Sequence, residues 1–464
     1  MASSPRRTAV SLFSGGGIGD LALSANGLDV LVASELRPDR ASVFEHNFPD
    51  VAMVCGDLAD TKDEVLRLTK ELLQGETLDI LFATPPCQGM SKNGRGKLLQ
   101  RLGNGERVLL DPRNQLVLHA LDIASALRPR IVAMENVPEM ANTVIEDREG
   151  NIRPILDIVR DALGDDYRGH AEVVEFADYG VPQRRKRLIS VWTKTSSLQR
   201  RLKRDASLLP PRTHAQHETP NRRPWVTVAD ALADLPALDA STLDTATSTI
   251  PFHRVPLLDA DKYYWVSHTP EGGGAFDNQC AEPTCGYQGN RTHGSGRDAA
   301  GVNRSHRTTP IRCERCDALL PRPWVREADG TVRLMSGYTS AYKRMKAGLP
   351  ASALTRNLSY ACSDHKLHPT QHRVLSLHEA FILHTIADYP YRWARADGKR
   401  LSDKTVREII GESIPPMGLE RIFASLCEGL NEDVHPTSGQ AIPGSSNETS
   451  PERQPCPSQA FPLG

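Results

Sequence analysis

Cys87 follows two prolines in the stretch LFATPPCQGMSKNGRGK and is itself followed by Gln88. Prolines fix the backbone and remove amide donors, which suits a loop that holds one sulfur in one place. A thiolate held in this way can attack an electron-poor carbon. The stretch therefore predicts a nucleophilic cysteine rather than a core residue.

A carboxyl group, that of Glu135, is expected near this thiol although the two are distant in sequence. Cys87 follows the apolar run LDILFAT, and Glu135 follows the run RIVAM. Loops after the carboxyl ends of parallel strands gather at one edge of a sheet. An acid at that edge can protonate a ring that the thiolate attacks.

Three polar side chains alternate in the segment YGVPQRRKRLISV. Gln183, Arg185 and Arg187 occupy every second position there. Alternate residues of a strand share one face. We expect this face to steer an anion or a polarised carbonyl.

The elements that must position these residues divide the chain into parts. Residues 8–190 alternate β-branched apolar runs with amphipathic stretches, which predicts an α/β fold with a mostly parallel sheet covered by helices. A part rich in Pro, Gly, Arg and Thr follows, which predicts a smaller irregular domain, and then a helical pattern returns. The predicted boundaries are 1–194, 195–362 and 363–430, with a disordered tail at 431–464.

A glycine-rich turn, in LFSGGGIGDLAL, follows the first predicted strand. Glycines allow the backbone to turn sharply and approach a ligand. Glu35 follows the second strand, where an acid can accept hydrogen bonds from a ribose, and Asp57 is placed to accept from an adenine amino group. The pattern G-G-G-x-G differs from G-x-G-x-x-G and favours a smaller nucleoside cofactor over a dinucleotide.

Four clustered cysteines form a C-x4-C pair and a C-x2-C pair, namely Cys280, Cys285, Cys313 and Cys316. Two such pairs can place four thiolates around a tetrahedral zinc, although His293 or His306 could replace one ligand. No ligand position is left open, so we expect a structural zinc. It would stiffen a domain whose sequence is poor in core residues.

The composition excludes some classes of protein. The apolar fraction of 39% is ordinary, and no apolar run approaches the roughly 20 residues of a membrane span. The N-terminus lacks the layout of a signal peptide, which predicts a cytoplasmic protein without disulfides or a membrane partner. The net charge is −1, yet residues 184–223 are strongly basic, which fits either a surface that follows phosphates or a solvated charged face.

Six motifs together carry a family resemblance: LFSGGGIGDLAL, PPCQGMS, ENVPEM, QRRKR, HRVLSLHEAFILH and IGESIPP. Their order resembles that of the cytosine carbon-5 DNA methyltransferases, over residues 8–195 and again 365–425. The resemblance implies a Rossmann-like methyltransferase domain, with S-adenosylmethionine as cofactor. The segment between QRRKR and HRVLSLHE would be the target-recognition domain.

The resemblance also implies roles for the reactive residues. Cys87 would add to carbon 6 of a cytosine, and Glu135 would protonate ring nitrogen 3. Arg185 would contact the cytosine carbonyl, and Asn136 would support the Cys87 loop. The residues expected to assist them are Gln88, Gln183 and Arg187.

The expected cofactor pocket comes from the same match. Its lining would comprise Phe13, Ser14, Gly15, Gly17, Glu35, Asp57, Pro86, Leu116 and Ser413. Two positions depart from the family pattern, because Ser11 stands where an acid is common and Glu412 stands where an amide is usual. Both departures concern the pocket rather than the reacting groups.

The function implied is sequence-specific DNA (cytosine-5-)-methylation of a cytosine flipped out of double-stranded DNA. A restriction–modification role, with a cognate restriction endonuclease acting on the same site, would follow by analogy. The alternatives are a tRNA cytosine-5 methyltransferase and a catalytically silent DNA-binding regulator on the same fold. A nicotinamide oxidoreductase is disfavoured, because it leaves the Pro-Cys-Gln motif unexplained.

Overall fold

The computed structural model describes residues 6–86, 112–297, 303–305, 308–335, 341–363 and 365–434. Cys87, Gln88 and His306 lie outside these ranges. Within the described ranges, no helix has the length and apolar character needed to cross a membrane.

Strands and helices alternate through the first two hundred residues. The strands are β1 (Arg7–Leu12), β2 (Leu28–Glu35), β3 (Ala52–Cys55), β4 (Ile80–Ala83), β5 (Ile131–Asn136), β6 (Val144–Glu146), β7 (Ile152–Pro154), β8 (Arg168–Glu175), β9 (Gln183–Arg184), β10 (Lys186–Thr193), β11 (His214–Ala215), β12 (Arg223–Pro224), β13 (Ser295–Arg297), β14 (Asn303–Ser305), β15 (Trp324–Arg326), β16 (Val332–Leu334) and β17 (Ala351–Ser352). The α-helices are α1 (Asp20–Ala25), α2 (Pro38–Asn47), α3 (Leu58–Leu73), α4 (Leu116–Leu127), α5 (Ile155–Leu163), α6 (Ser196–Asp205), α7 (Val228–Ala231), α8 (Ala260–Ser267), α9 (Leu377–Leu383), α10 (Asp403–Glu412) and α11 (Pro416–Val434).

The central sheet has seven strands in the order β3-β2-β1-β4-β5-β10-β8. The first five run parallel to one another, whereas β10 is antiparallel to both of its neighbours. The predicted α/β class with a mostly parallel sheet is therefore confirmed. Strand β8 was missed by the sequence reading because it lies at the edge, where most of its side chains are only partly buried and form no apolar run.

Helices cover both faces of the central sheet. On one face, α3, α4 and α5 pack on apolar side chains of the strands. On the other face, α1, α6 and the long α11 form a second core. The strands are thus buried on both sides, which is why they read as continuous apolar runs.

The part between the sheet and α9 consists of short elements with an aromatic core of its own. Trp265 packs edge-on against Trp324 at 5.3 Å and against Tyr342 at 5.5 Å between ring centroids, and Phe276 is buried with them. Buried aromatic pairs of this kind contribute about 0.5–1.5 kcal/mol each beyond their area. The expectation of a domain poor in core residues was therefore wrong.

The C-terminal helices return to the sheet. Helices α9 and α10 share a core with residues of α2 and the glycine turn, such as Val43 and Ile18. Helix α11 continues to Val434, so the predicted disordered tail does not begin at residue 431. Residues 435–464 lie outside the described part of the chain.

A buried ion pair fixes the start of the returning segment. Arg373 donates two hydrogen bonds of 2.7 Å to the two carboxylate oxygens of Glu379, and both side chains are 1% exposed. Glu379 also accepts from the backbone of Ser376, which caps α9. The bidentate geometry satisfies both charges inside the protein.

We expect Arg373→Met to lower the free energy of unfolding by about 3–5 kcal/mol, because it leaves the Glu379 carboxylate buried without its cation. Urea unfolding at neutral pH measures the loss. The control is Arg254→Met, which breaks the exposed pair with Asp403 and should cost at most about 1 kcal/mol. Equal losses in the two variants would contradict this account of the buried pair.

Candidate active site

A cavity of about 590 Å³ lies at the carboxyl edge of the parallel strands. Its wall is formed by the segments after β1, β2, β3, β4 and β5, together with the end of α10. The sequence predicts that polar side chains such as Glu35 and Glu135 gather at this edge. The cavity is the place where they meet.

The glycine turn after β1 is held to β2 by Glu35. Gly15 has a φ of 58°, a conformation that suits glycine, and its N–H donates to Glu35 Oε2 at 2.9 Å. The Arg37 N–H donates to Glu35 Oε1, also at 2.9 Å. Burial raises the pKa of Glu35, and these two backbone donors oppose the rise. Glu35 therefore shapes the turn as well as lining the cavity.

The residues predicted for a cofactor pocket mostly line this cavity. Those that do are Phe13, Ser14, Gly15, Glu35, Asp57, Pro86, Leu116 and Ser413. Gly17 does not, because it faces α2 and the residue after it, Phe48, whose ring would lie 2.5 Å from an added Cβ. Leu36, which sequence reasoning missed, lines the cavity with 58% of its surface exposed.

Glu135 reaches the cavity from the end of β5. Its carboxylate accepts a 2.7 Å hydrogen bond from Arg187 Nε, and the residue is 7% exposed. Burial raises the pKa of Glu135, while Arg187 and then Arg185 oppose the rise. The next residue, Asn136, donates to the carbonyl of Pro85 at 3.0 Å, two positions before Cys87. The site thus holds a buried acid whose proton is retained to higher pH than usual.

Arg185 and Arg187 lie on the inward side of the chain, alternating with the exposed Arg184 and Lys186, but they contact different groups. Arg185 is 2% exposed and donates to the backbone carbonyls of Leu354 and Gly411 at 2.9 Å each, whereas Arg187 lines the cavity. Gln183 is buried as well. The expected alternation is seen in the burial of these side chains, although of the three only Arg187 lines the cavity.

His384 belongs to a hydrogen-bonded chain that sequence reasoning missed. Gln183 Nε2 lies 3.0 Å from His384 Nδ1, and His384 Nε2 lies 3.0 Å from Ser413 Oγ. Burial, together with the nearby arginines, lowers the pKa of His384, so the imidazole is neutral. Since the amide donates to Nδ1, Nε2 carries the proton and donates to Ser413. The chain orients the Ser413 hydroxyl at the cavity wall.

Glu412, the departure from the family pattern, forms an ion pair with Arg40 of α2. Both residues line the cavity. The pair links the returning helix α10 to the helix that follows Glu35. The negative charge of Glu412 is thus balanced by Arg40 of the same chain.

The four clustered cysteines converge as predicted. Their sulfurs all lie within 4.8 Å of one another, with 3.7 Å between Cys280 and Cys316 and 3.9 Å between Cys285 and Cys313. The Arg315 N–H donates to the Cys313 sulfur at 3.4 Å. His293 is outside the cluster, and its ring packs against Phe276.

The basic stretch at 184–223 is only partly a free surface. Arg184 pairs with Glu175 at 3.6 Å, and Arg212 pairs with Glu172 at 3.0 Å. Arg201 donates to backbone carbonyls and to a serine of α11. Partners distant in sequence therefore neutralise charges that look unopposed along the chain.

Comparison with known proteins gives matches along nearly the whole chain. The model of the family described as C-5 cytosine-specific DNA methylase matches residues 8–428. Type II methyltransferase M1.HgaI of Avibacterium volantium is 27% identical over 422 residues, which cover 89% of this chain and 96% of that protein. Type II methyltransferase M.XorII of Xanthomonas oryzae pv. oryzae is 33% identical over 188 residues, 40% of each chain. The structure of S. pombe Dnmt2 methyltransferase covers 92% of this chain and 100% of its own, with a TM-score of 0.46 and 14% identity.

We expect Arg187→Met to make stability more dependent on pH. Loss of Arg187 raises the pKa of Glu135 further above its ordinary value of 4.5. A folded-state carboxyl with a raised pKa destabilises the fold as pH rises from about 4.5 through the folded value. The variant should therefore lose about 1–3 kcal/mol more at pH 8 than at pH 5, measured by urea unfolding.

The double variant Glu135→Gln/Arg187→Met serves as the reference, since it lacks the titrating group and should lose the same amount at both pH values. Arg6→Met, which breaks an exposed pair with Asp29, controls for general charge effects. A loss in Arg187→Met that does not vary with pH would show that Glu135 is not controlled by Arg187.

Proposed function

Because this chain belongs to the C-5 cytosine-specific DNA methylase family and is a DNA cytosine-5 methyltransferase, we propose that it methylates one specific duplex sequence at a flipped-out cytosine. The observation that carries the proposal is the buried Glu135 carboxyl, held by Arg187 at 2.7 Å on the cavity wall. A cytosine cannot be reached inside a stacked duplex, so the base must leave the helix at a cost of a few kcal/mol.

The cavity fits S-adenosylmethionine, the methyl donor that this family uses. Glu35 stands at the end of β2, where a carboxylate can accept from ribose hydroxyls, and Asp57 stands at the end of β3 for the adenine amino group. Leu36 presents an exposed apolar surface suited to the adenine face. When bound, this cofactor supplies an electrophilic methyl group attached to a sulfonium.

The reaction is divided between Cys87 and Glu135. The Cys87 thiolate forms a bond to carbon 6 of the cytosine, while Glu135 donates its proton to ring nitrogen 3. This addition shifts the double bond to carbons 4 and 5, and carbon 5 would then take the methyl group, with S-adenosylhomocysteine leaving as the neutral thioether. A base removes the proton from carbon 5, Cys87 leaves carbon 6, and nitrogen 3 returns its proton to Glu135.

Arg187, rather than Arg185, is the better candidate for contact with the cytosine carbonyl. Arg187 lines the cavity beside Glu135, and a guanidinium can donate to a carboxylate and to a carbonyl together. Arg185 is occupied by the carbonyls of Leu354 and Gly411. We therefore assign Arg185 a positioning role.

The part with the aromatic core would read the DNA sequence, in keeping with its place between QRRKR and HRVLSLHE. Side chains of this part would contact base edges in the major groove. The type II names of the relatives support a restriction–modification context. A cognate endonuclease acting on the same sequence would then be a functional partner.

The four thiols are proposed to bind zinc. Four sulfurs in a tetrahedron at about 2.3 Å from zinc lie about 3.8 Å from one another. The pairs at 3.7 Å and 3.9 Å match this spacing. All four positions are filled by cysteine, so the role would be structural.

The proposed reaction is tested with DNA from cells that express the chain. Bisulfite sequencing should show full methylation of one cytosine within a fixed sequence, and no methylation with Cys87→Ser. Glu135→Gln should lower the rate by 10²-fold or more, the scale of general acid catalysis. Cys362→Ser, an exposed cysteine outside the cavity, is the matched control and should retain full activity.

Duplexes that carry 5-fluorocytosine in that sequence test the covalent step. Fluorine cannot leave as a proton does, so a stable protein–DNA adduct should accumulate with the wild type and not with Cys87→Ser. Methylation without any adduct would overturn the role of Cys87.

Metal analysis of the purified chain should give about one zinc per molecule. Cys280→Ser or Cys313→Ser should lose the metal and bind target DNA at least tenfold more weakly, yet retain S-adenosylhomocysteine binding. Cys362→Ser should keep the zinc. Less than a tenth of an equivalent of metal in the wild type would rule out the zinc site.

A further inference from the structure

Asp20, the first residue of α1, is a buried acid that the reaction does not use. It is 1% exposed and lines the cavity, and its Oδ1 finds no hydrogen-bond partner among the described residues. A buried carboxylate without a partner is costly, so an unpaired one calls for an explanation.

The other acids of the cavity already have partners. Glu35 accepts from two backbone N–H groups, Glu135 from Arg187, and Glu412 is paired with Arg40. Asp20 has a hydrogen bond with the Ser11 hydroxyl and one with its own backbone, and neither partner carries a positive charge. Within the described part of the cavity wall, Asp20 is therefore a buried carboxyl that has one oxygen without a hydrogen-bond partner.

Two serines of the first strand and turn prepare Asp20 to act as an acceptor. The Ser14 hydroxyl donates to Ser11 Oγ at 2.9 Å, which leaves the Ser11 proton for Asp20. Burial nevertheless raises the pKa of Asp20 to about 7, so the carboxylate is short of positive charge. Tyr391 is close but cannot supply the charge, because its hydroxyl donates to the Gly16 carbonyl at 2.6 Å.

The position of Asp20 along the sheet edge indicates what it would bind. The edge runs from Asp57 after β3, through Glu35 after β2, to the turn after β1, and on to β4 and β5. Asp57 and Glu35 suit the adenosine end of the cofactor, and Glu135 marks the reacting end. Asp20, behind the turn after β1, lies between them, where the amino-acid portion of the cofactor remains to be held.

We propose that Asp20 binds the α-ammonium group of S-adenosylmethionine and thereby replaces the acid that Ser11 lacks. An ammonium offers three N–H donors to a carboxylate, whereas a sulfonium offers none. The inference rests on the proposed cofactor site, and it adds a specificity-determining residue for the amino-acid portion.

Calorimetric titration without DNA tests the inference with three adenosine thioethers. S-adenosylhomocysteine carries both ammonium and carboxylate, S-adenosyl-3-thiopropylamine carries the ammonium alone, and 5′-methylthioadenosine carries neither. Asp20→Asn should weaken the first two by tenfold or more, or about 1.4 kcal/mol, and leave 5′-methylthioadenosine unchanged. Ser11→Asp/Asp20→Asn returns a carboxyl to the site and should restore part of the loss.

The outcomes distinguish the role of Asp20 from the presence of the cofactor site. Equal weakening of all three ligands, or no weakening of any, would overturn the role of Asp20. If Asp20→Asn fails to fold, titration of the wild type still tests the role of Asp20. The proposal requires the wild type to bind S-adenosyl-3-thiopropylamine at least tenfold more tightly than 5′-methylthioadenosine. Failure of the wild type to bind S-adenosylhomocysteine would instead count against the cofactor site itself.

Discussion

The ion pair of Glu135 and Arg187 depends on the reversal of one strand. Strand β10 is antiparallel to β5, and their register pairs Ile189 with Glu135 and Leu188 with Asn136. The beginning of β10 therefore meets the end of β5 at the cavity. A parallel β10 would have placed its carboxyl end, near Thr193, at that edge instead. The sheet direction thus brings a guanidinium to a carboxyl that burial would otherwise leave protonated and unpaired.

Arg185 joins parts of the molecule that are far apart in sequence. Its guanidinium donates to the carbonyls of Leu354, in the irregular part before α9, and of Gly411, in the last turn of α10. Gly411 itself allows a close approach, since an added Cβ would lie 2.2 Å from the Arg356 nitrogen. Glu412 and Ser413 follow directly and form the cavity wall. The irregular part before α9 and the cavity wall are consequently both hydrogen-bonded to the buried Arg185.

The sequence was sufficient for the sheet and for most of the cavity because both follow local rules. Buried parallel strands give apolar runs, and the residues after them must gather at one edge. The thiol cluster was also predictable, since the spacing of the two cysteine pairs limits their reach. The separate roles of Arg185 and Arg187 were not, because the alternation marks both as inward-facing and does not tell which one reaches the cavity and which one binds backbone carbonyls. His384 and Arg40 were missed for another reason: their partners, Ser413 and Glu412, lie in distant segments, and no local pattern marks such pairs.

The charge of the cavity wall favours a cationic ligand. Among its described lining residues are six acids and four arginines. Burial raises the pKa of Asp20, Glu35 and Glu135, so each of these carboxyls is short of positive charge. A ligand that brings a sulfonium and an ammonium to these buried carboxyls would relieve that shortage, because electrostatic attraction is stronger in surroundings less polar than water. Transfer of the methyl group removes the sulfonium charge, so the product offers less relief than the donor. In the proposed site, the same acids that would hold the cofactor would therefore also favour exchange of the spent product for a fresh, positively charged donor.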